Sequence, residues 1–147
     1  MKIYIGADHQ GFRLKDKLSA YLKKHGYDVE DEGDNRLDPQ DDFPEFAGRV
    51  AAAVKSSSDK DPRGILLCGS GQGMVMAANR FDGIYAALAW DIKSAQESRA
   101  DDNSNVLCLP SHRLNEQDVF DIVTSWLQAE FAAAPRFIRR LKQIDAL

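Results

Sequence analysis

Short apolar runs alternate with helix-period segments along the whole chain, and this alternation limits its possible folds more than any other feature. Ile3-Tyr4-Ile5 reads as a strand ending at Gly6-Ala7-Asp8-His9. From Gly11 to His25, Leu14, Leu18, Tyr21 and Leu22 recur at i, i+4, i+7 and i+8, one face of a helix. Gly26 stands where a helix-ending glycine belongs. Asp28-Val29-Glu30 is a short second strand, and the polar stretch from Glu32 to Asp42 is a loop. Pro44 suits a first helical turn, which Phe46, Val50 and Val54 continue until Ser56-Ser57-Ser58 and Asp61-Pro62 break it. Gly64-Ile65-Leu66-Leu67-Cys68 is a strand of the buried type that runs into Gly69-Ser70-Gly71-Gln72-Gly73 and then a helix through Met76 and Ala78. Ile84 to Ala89 reads as the fourth strand, Asp91 to Ala100 as a helix, and Val106 to Leu109 as the fifth strand, stopped by Pro110. Asn115 caps a helix with Val119, Ile122, Val123, Trp126 and Leu127 on one face, and Pro135 opens the last helix.

Strands and helices in this order predict an α/β chain, a three-layer αβα sandwich around a parallel, Rossmann-like sheet of about five strands. No repeat or linker interrupts it, so residues 1–147 are expected to form one domain. With 44% apolar and 29% charged residues the chain is neither a disordered tail nor a disulfide scaffold. A net charge of −4 argues against nucleic acid as a partner, because phosphate backbones are held by surplus Lys and Arg. No apolar run reaches the ~18–20 residues that span a bilayer, and no charged and apolar leader follows Met1. A cytoplasmic protein with reduced thiols, without a membrane partner, is expected.

In parallel sheets ligands bind beyond the carboxyl ends of the strands. Candidate chemistry therefore lies in Asp8-His9, in Cys68 to Gly73, in Trp90-Asp91 and in Pro110 to Arg113. Glycines between strand and helix let the backbone approach a ligand, and a helix N-terminus offers free N–H groups and partial positive charge. The same field is expected to lower the thiol pKa of Cys68, giving one loop both a thiolate base and an oxyanion hole. The bland alternative is a small buried Cys beside a turn. A dinucleotide fingerprint fails because Met74 stands where its third glycine belongs, and a nucleophile elbow fails at Cys68. Asp8-His9 suits proton transfer and hydroxyl binding, or simply a turn. A metal site from Asp8, His9 and Cys68 has no supporting ligand spacing. Arg136, Arg139 and Arg140 share one helix face and suit either a phosphate or plain salt bridges. Cys108 is expected to pack in the core.

These pieces in this order resemble the ribose-5-phosphate isomerase B family, which also includes galactose-6-phosphate isomerase subunits. The resemblance covers nearly the whole chain: Gly6-Ala7-Asp8-His9 with Gly11-Phe12 and Leu14-Lys15, Asp42-Phe43-Pro44, Gly64 to Gly73, Ala77-Ala78-Asn79-Arg80, Asn105-Val106-Leu107 and the cluster from Arg136 to Arg140. It implies an aldose–ketose isomerase for ribose 5-phosphate and ribulose 5-phosphate, working through a cis-enediolate without metal or organic cofactor. It further implies that Cys68 moves the proton between C1 and C2 and that Gly69, Gly71, Gln72 and Gly73 hold the enediolate oxygens through their backbone. By the same resemblance Ser70 bonds near the reacting carbons, Asp8 meets hydroxyls, His9 lies near the phosphate, and Arg136 and Arg140 bind phosphate from a neighbouring subunit. A homodimer or a dimer of dimers follows.

Two positions depart from the family pattern. Asp101 and Asp102 align with a His-Asn pair whose histidine helps open the sugar ring, and His112 aligns with a phosphate-binding arginine, with Arg113 one place later. Asp101 as a replacement acid/base for ring opening, its pair having one pKa raised by like charge, is one expectation. An isomerase of a six-carbon sugar phosphate and a non-catalytic sugar-phosphate-binding homologue are the alternatives.

Overall fold

Apolar residues on both faces of the central strands demand cover on both sides, and the helices supply it in two groups. The computed structural model describes residues 1–147. The elements are β1 (Lys2–Ala7), α1 (Phe12–Lys24), β2 (Asp28–Asp31), α2 (Phe43–Ser56), β3 (Arg63–Cys68), α3 (Gln72–Ala78), β4 (Ala86–Leu88), α4 (Ile92–Ala100), β5 (Val106–Pro110), α5 (Glu116–Gln128) and α6 (Pro135–Asp145). The five strands are all parallel in the order β2-β1-β3-β5-β4. This is the three-layer α/β architecture expected, with α1, α4 and α5 on one face and α2 and α3 on the other.

Alternation along β3 sorts the core. Ile65 and Leu67 pack with Leu18, Leu22, Leu107, Leu109 and Trp126 on the first face. Leu66 and Cys68 pack with Phe46, Val50, Met74 and Cys108 on the second. Trp126 is fully buried, its Nε1–H donating to Ser104 Oγ at 2.9 Å, so that truncation to Ala would cost about 3–5 kcal/mol. Two buried cations are paired rather than left bare. Lys15 Nζ reaches Asp31 Oδ2 at 2.7 Å and the Asp34 carbonyl at 3.0 Å. Arg63 donates twice to Asp61, at 2.8 Å each.

β4 is shorter than the apolar run from Ile84 to Ala89 suggests. Before it, the Ile84 amide turns to the Phe81 carbonyl and the Tyr85 amide to Asn105 Oδ1 at 2.8 Å. An edge strand with its flanking amides committed elsewhere forms only a brief ladder. No helix is long and apolar enough to cross a membrane. The order of strands positions the site: β1 and β3 are neighbours, yet β1 leads to α1 on one face and β3 to α3 on the other. Their loops part at the carboxyl edge, the place where a parallel sheet of this topology has its ligand crevice.

Candidate active site

Pairing of Ala7 with Leu67 brings the ends of β1 and β3 level, so Asp8 and Cys68 emerge side by side. Asp8 is buried and spends Oδ1 on the amides of Gln10, 2.9 Å, and Gly11, 3.2 Å. Oδ2 takes no bond from the protein. Burial raises the Asp8 pKa despite those two donors. Cys68 Sγ accepts the Gly71 N–H at 3.1 Å, and the amides of Met74 and Ser70 also favour its thiolate. Gly71 sits at φ +75°, a left-handed conformation that aims this amide back at the sulfur.

The expected depression of the thiol pKa does not occur. Desolvation is the largest influence on Cys68 and pushes the thiol up, the Asp8 carboxylate pushes the same way, and the amides only partly offset them. The helix that begins at Gln72 has seven residues, too short to outweigh burial of a sulfur that is 5% exposed. Cys108 is fully enclosed on the neighbouring strand, its thiol pushed far upward by burial, as suits a core residue.

The loop after β5 completes the carboxyl edge. Ser111 Oγ lies 3.0 Å from the carbonyls of both Gln10 and Cys68, and the His112 amide donates to the Gly69 carbonyl at 3.1 Å. A Cβ on Gly69 would stand 1.8 Å from Gln10 Oε1 and 2.8 Å from His112 Cε1, so both side chains close over that glycine. Gln72 donates its amide to Ser70 Oγ at 3.3 Å, and the Phe43 ring covers Gly73. His9 stands at the rim, its Nδ1 2.6 Å from Asp41 Oδ1.

Asp8, His9, Cys68, Ser70, Gly69, Gly71, Gln72, Gly73 and His112 are thus gathered at one edge. Arg113 is not among them. It lines a separate cavity of about 460 Å³ with Trp90, Ile92 and Asp118, between α4 and α5. The remaining candidates lie at the far edge of the sheet. Asp101 and Asp102 follow α4, just before β5 begins, and the Arg140 charge reaches Asp102 from α6. The raised carboxyl is that of Asp102, through burial first and the Asp101 charge second. Arg136 stacks on Phe137 at 4.8 Å and is otherwise exposed. Within one copy of the chain the candidate residues therefore fall into two separated groups. No group of three or more His, Cys, Asp or Glu side chains is disposed to hold a metal ion, including Asp8, His9 and Cys68.

Sequence reasoning missed Asp41 and Gln10 and assigned no role to Ser111 or Phe43, although Ser111 lies in the candidate segment Pro110 to Arg113 and Phe43 in Asp42-Phe43-Pro44.

Comparison with known proteins agrees with this architecture. A family model described as Ribose/Galactose Isomerase matches residues 3–144. A Mycoplasma genitalium protein named "Probable ribose-5-phosphate isomerase B" is 44% identical over 142 residues, 97% of this chain and 92% of its own length. A Clostridium sp. protein named 4-deoxy-4-sulfo-D-erythrose isomerase is 41% identical over 109 residues, 74% of this chain and 67% of its own. The crystal structure of Mycoplasma genitalium ribose-5-phosphate isomerase B with bound ribulose-5-phosphate superposes with a TM-score of 0.93 at 43% identity, covering 99% of this chain and 94% of that one. With a family model spanning nearly its full length and its strand order and glycine loop in place, the chain belongs to the ribose/galactose isomerase family.

Proposed function

We propose that residues 1–147 form one isomerase domain that interconverts ribose 5-phosphate and ribulose 5-phosphate through a cis-enediolate. The observation that carries the reading is the Cys68 sulfur, held at the crevice by the Gly71 amide at 3.1 Å beside the Asp8 carboxylate. In the forward direction Cys68 takes the proton from C2 of the aldose. The electron pair moves into the C1–C2 bond and O1 becomes an oxyanion; the O2 hydroxyl proton passes to O1, and the proton held by Cys68 returns to C1 as the C2 carbonyl forms. Amides of the loop from Gly69 to Gly73 oppose the developing charge, and losing one such donor costs ~10²–10³ in rate. Oδ2 of Asp8 is free to accept sugar hydroxyls, and Ser70 lies next to the reacting carbons. A thiol raised by burial is a scarce but strong base, so turnover is set by the small thiolate fraction. No metal or organic cofactor enters this scheme.

The separation of the two groups makes a second copy part of the proposal. Arg136 and Arg140 sit at the far edge from Cys68 in their own chain, so a homodimer, or a dimer of dimers, supplies phosphate donors from the neighbour. The exposed Ile138 and Ile144 on α6 offer that neighbour an apolar contact. A metabolic enzyme of this kind works in the cytoplasm.

One observation favours a second substrate class. Asp101, not histidine, occupies the position that the family resemblance associates with ring opening. A four-carbon sugar without a 4-hydroxyl has no group to close a five-membered ring and needs no such acid. The 4-deoxy-4-sulfo-D-erythrose isomerase of Clostridium sp. is named for such a sugar. A coupled assay of wild type and Cys68→Ala on ribose 5-phosphate, a six-carbon sugar phosphate and a four-carbon 4-sulfo sugar tests all three. Turnover of ribose 5-phosphate above the others, abolished in Cys68→Ala, is the expected result. No turnover of any sugar, or an undiminished variant, overturns the proposal.

A further inference from the structure

We propose that Asp41 is a positioning residue that fixes the His9 ring so that its Nε2–H is presented to the anionic group of the ligand. The inference rests on the crevice being a sugar-phosphate site, as proposed above. One carboxylate oxygen makes both of the bonds that matter: Asp41 Oδ1 accepts the His9 backbone N–H at 3.0 Å and lies 2.6 Å from Nδ1 of the same residue. Main chain and ring are thereby locked to one atom, which leaves little freedom about either side-chain torsion. Because a carboxylate only accepts, Nδ1 must carry a proton. Nε2 is then the one ring atom left for a ligand.

Burial divides the pair in the sense such a role needs. The Asp41 side chain is 7% exposed and the His9 side chain 31%. The anchor is hidden and the imidazole is partly exposed at the carboxyl edge, one residue beyond Asp8. The charges that reach the ring are Asp41 and Asp38 from the loop before α2 and Asp8 from the end of β1, and all three favour the imidazolium. The Asp41 hydrogen bond is the largest influence and raises the His9 pKa above the ordinary ~6.5. A group with a raised pKa keeps its charge to higher pH and loses it as pH rises through that value. Donation from Nε2 is therefore kept to higher pH than in a free histidine.

Asp41→Asn is the test. Asparagine keeps a backbone acceptor but cannot neutralise an imidazolium. Ring NMR of His9 in the full-length protein should show its titration midpoint falling toward ~6.5. Inorganic phosphate, titrated calorimetrically, should bind several-fold more weakly in the variant at pH 7.5 and equally at pH 5.5. With substrate, KM should rise at pH 7.5 while kcat holds, Asp41→Glu should recover part of the loss, and Asp41→Asn should add nothing in a His9→Gln background. An unmoved midpoint, or a loss of phosphate affinity equal at both pH values, overturns the proposal. The NMR and phosphate measurements need no turnover. A wild type inactive on every sugar whose His9 midpoint still depends on Asp41 would therefore fail the isomerase reading and leave this one standing.

Discussion

Gly71→Ala tests the central geometry, and Gly83→Ala calibrates it. Both glycines have positive φ, +75° and +78°. A Cβ on Gly83 meets nothing within 4 Å, whereas on Gly71 it would stand 2.4 Å from Leu88 Cδ1, 3.3 Å from the Leu109 carbonyl carbon and 3.4 Å from the Pro110 nitrogen. Gly83→Ala therefore measures the left-handed backbone alone, about 1–2 kcal/mol. Gly71→Ala adds crowding of about 1–3 kcal/mol, because the Leu88 tip can give way but the backbone between β5 and its loop cannot. For a chain of this length 1 kcal/mol corresponds to roughly 3 °C in Tm. The expected losses by calorimetry are about 3–6 °C for Gly83→Ala and about 6–15 °C for Gly71→Ala. Activity separates the two further. Displacing the Gly71 amide removes a hydrogen bond to the thiolate worth about 1.5–3 kcal/mol, or about 10–150-fold in kcat/KM, while Gly83→Ala stays near wild type. Equal Tm losses in the two variants, or a Gly71→Ala enzyme within twofold of wild type, would refute the assignment of that amide to the sulfur.

Other outcomes follow from the same geometry. Since burial raises the Cys68 thiol and the base must be ionised, kcat/KM should climb through pH 8 and beyond; a plateau already reached at pH 6 would contradict a raised thiol. Mixing Cys68→Ala with Arg140→Gln after partial unfolding should restore about a quarter of wild-type activity if each site draws on two copies, since half of randomly reassorted dimers hold one intact site; no recovery would place both groups in one chain's site. Arg63 holds the Asp61 carboxyl below its ordinary value, so this pairing stabilises the fold above ~pH 4 and is lost as pH falls through the depressed pKa. Asp61 is half in water, and Asp61→Asn should cost only about 1–2 kcal/mol in urea unfolding at pH 7. That gap should narrow as pH falls through the depressed pKa; one that stays constant as the carboxyl is protonated would exclude the ion pair as its source.

The sheet was legible because its signals are local. Ile65 to Cys68 could only be a doubly buried strand, and the glycines after it had to turn the chain. What escaped notice depends on residues far apart in sequence. Asp41 meets His9 across 32 positions, and Ser111 ties Gln10 to Cys68, through a loop whose polar composition says nothing of its path. The thiol was misjudged for a different reason. A helix N-terminus is visible in sequence, but the depth of a side chain beneath Phe46 and Met74 is not, and desolvation proved the larger effect. Position along the chain likewise put His112 and Arg113 on equal terms, and only the turn after β5 separates them, sending one over Gly69 and the other between two helices.

Lys15 lies outside the crevice, yet it governs the segment that bears Asp41. Its ammonium, enclosed in α1, pins Asp31 and the Asp34 carbonyl, while Arg49 grips Asp34 from the other side. The stretch that follows carries few other tethers to the body. Warming should thus slacken this arm before the sheet melts, and the enzyme's grip on phosphate would fade while its far-ultraviolet spectrum still reads as native.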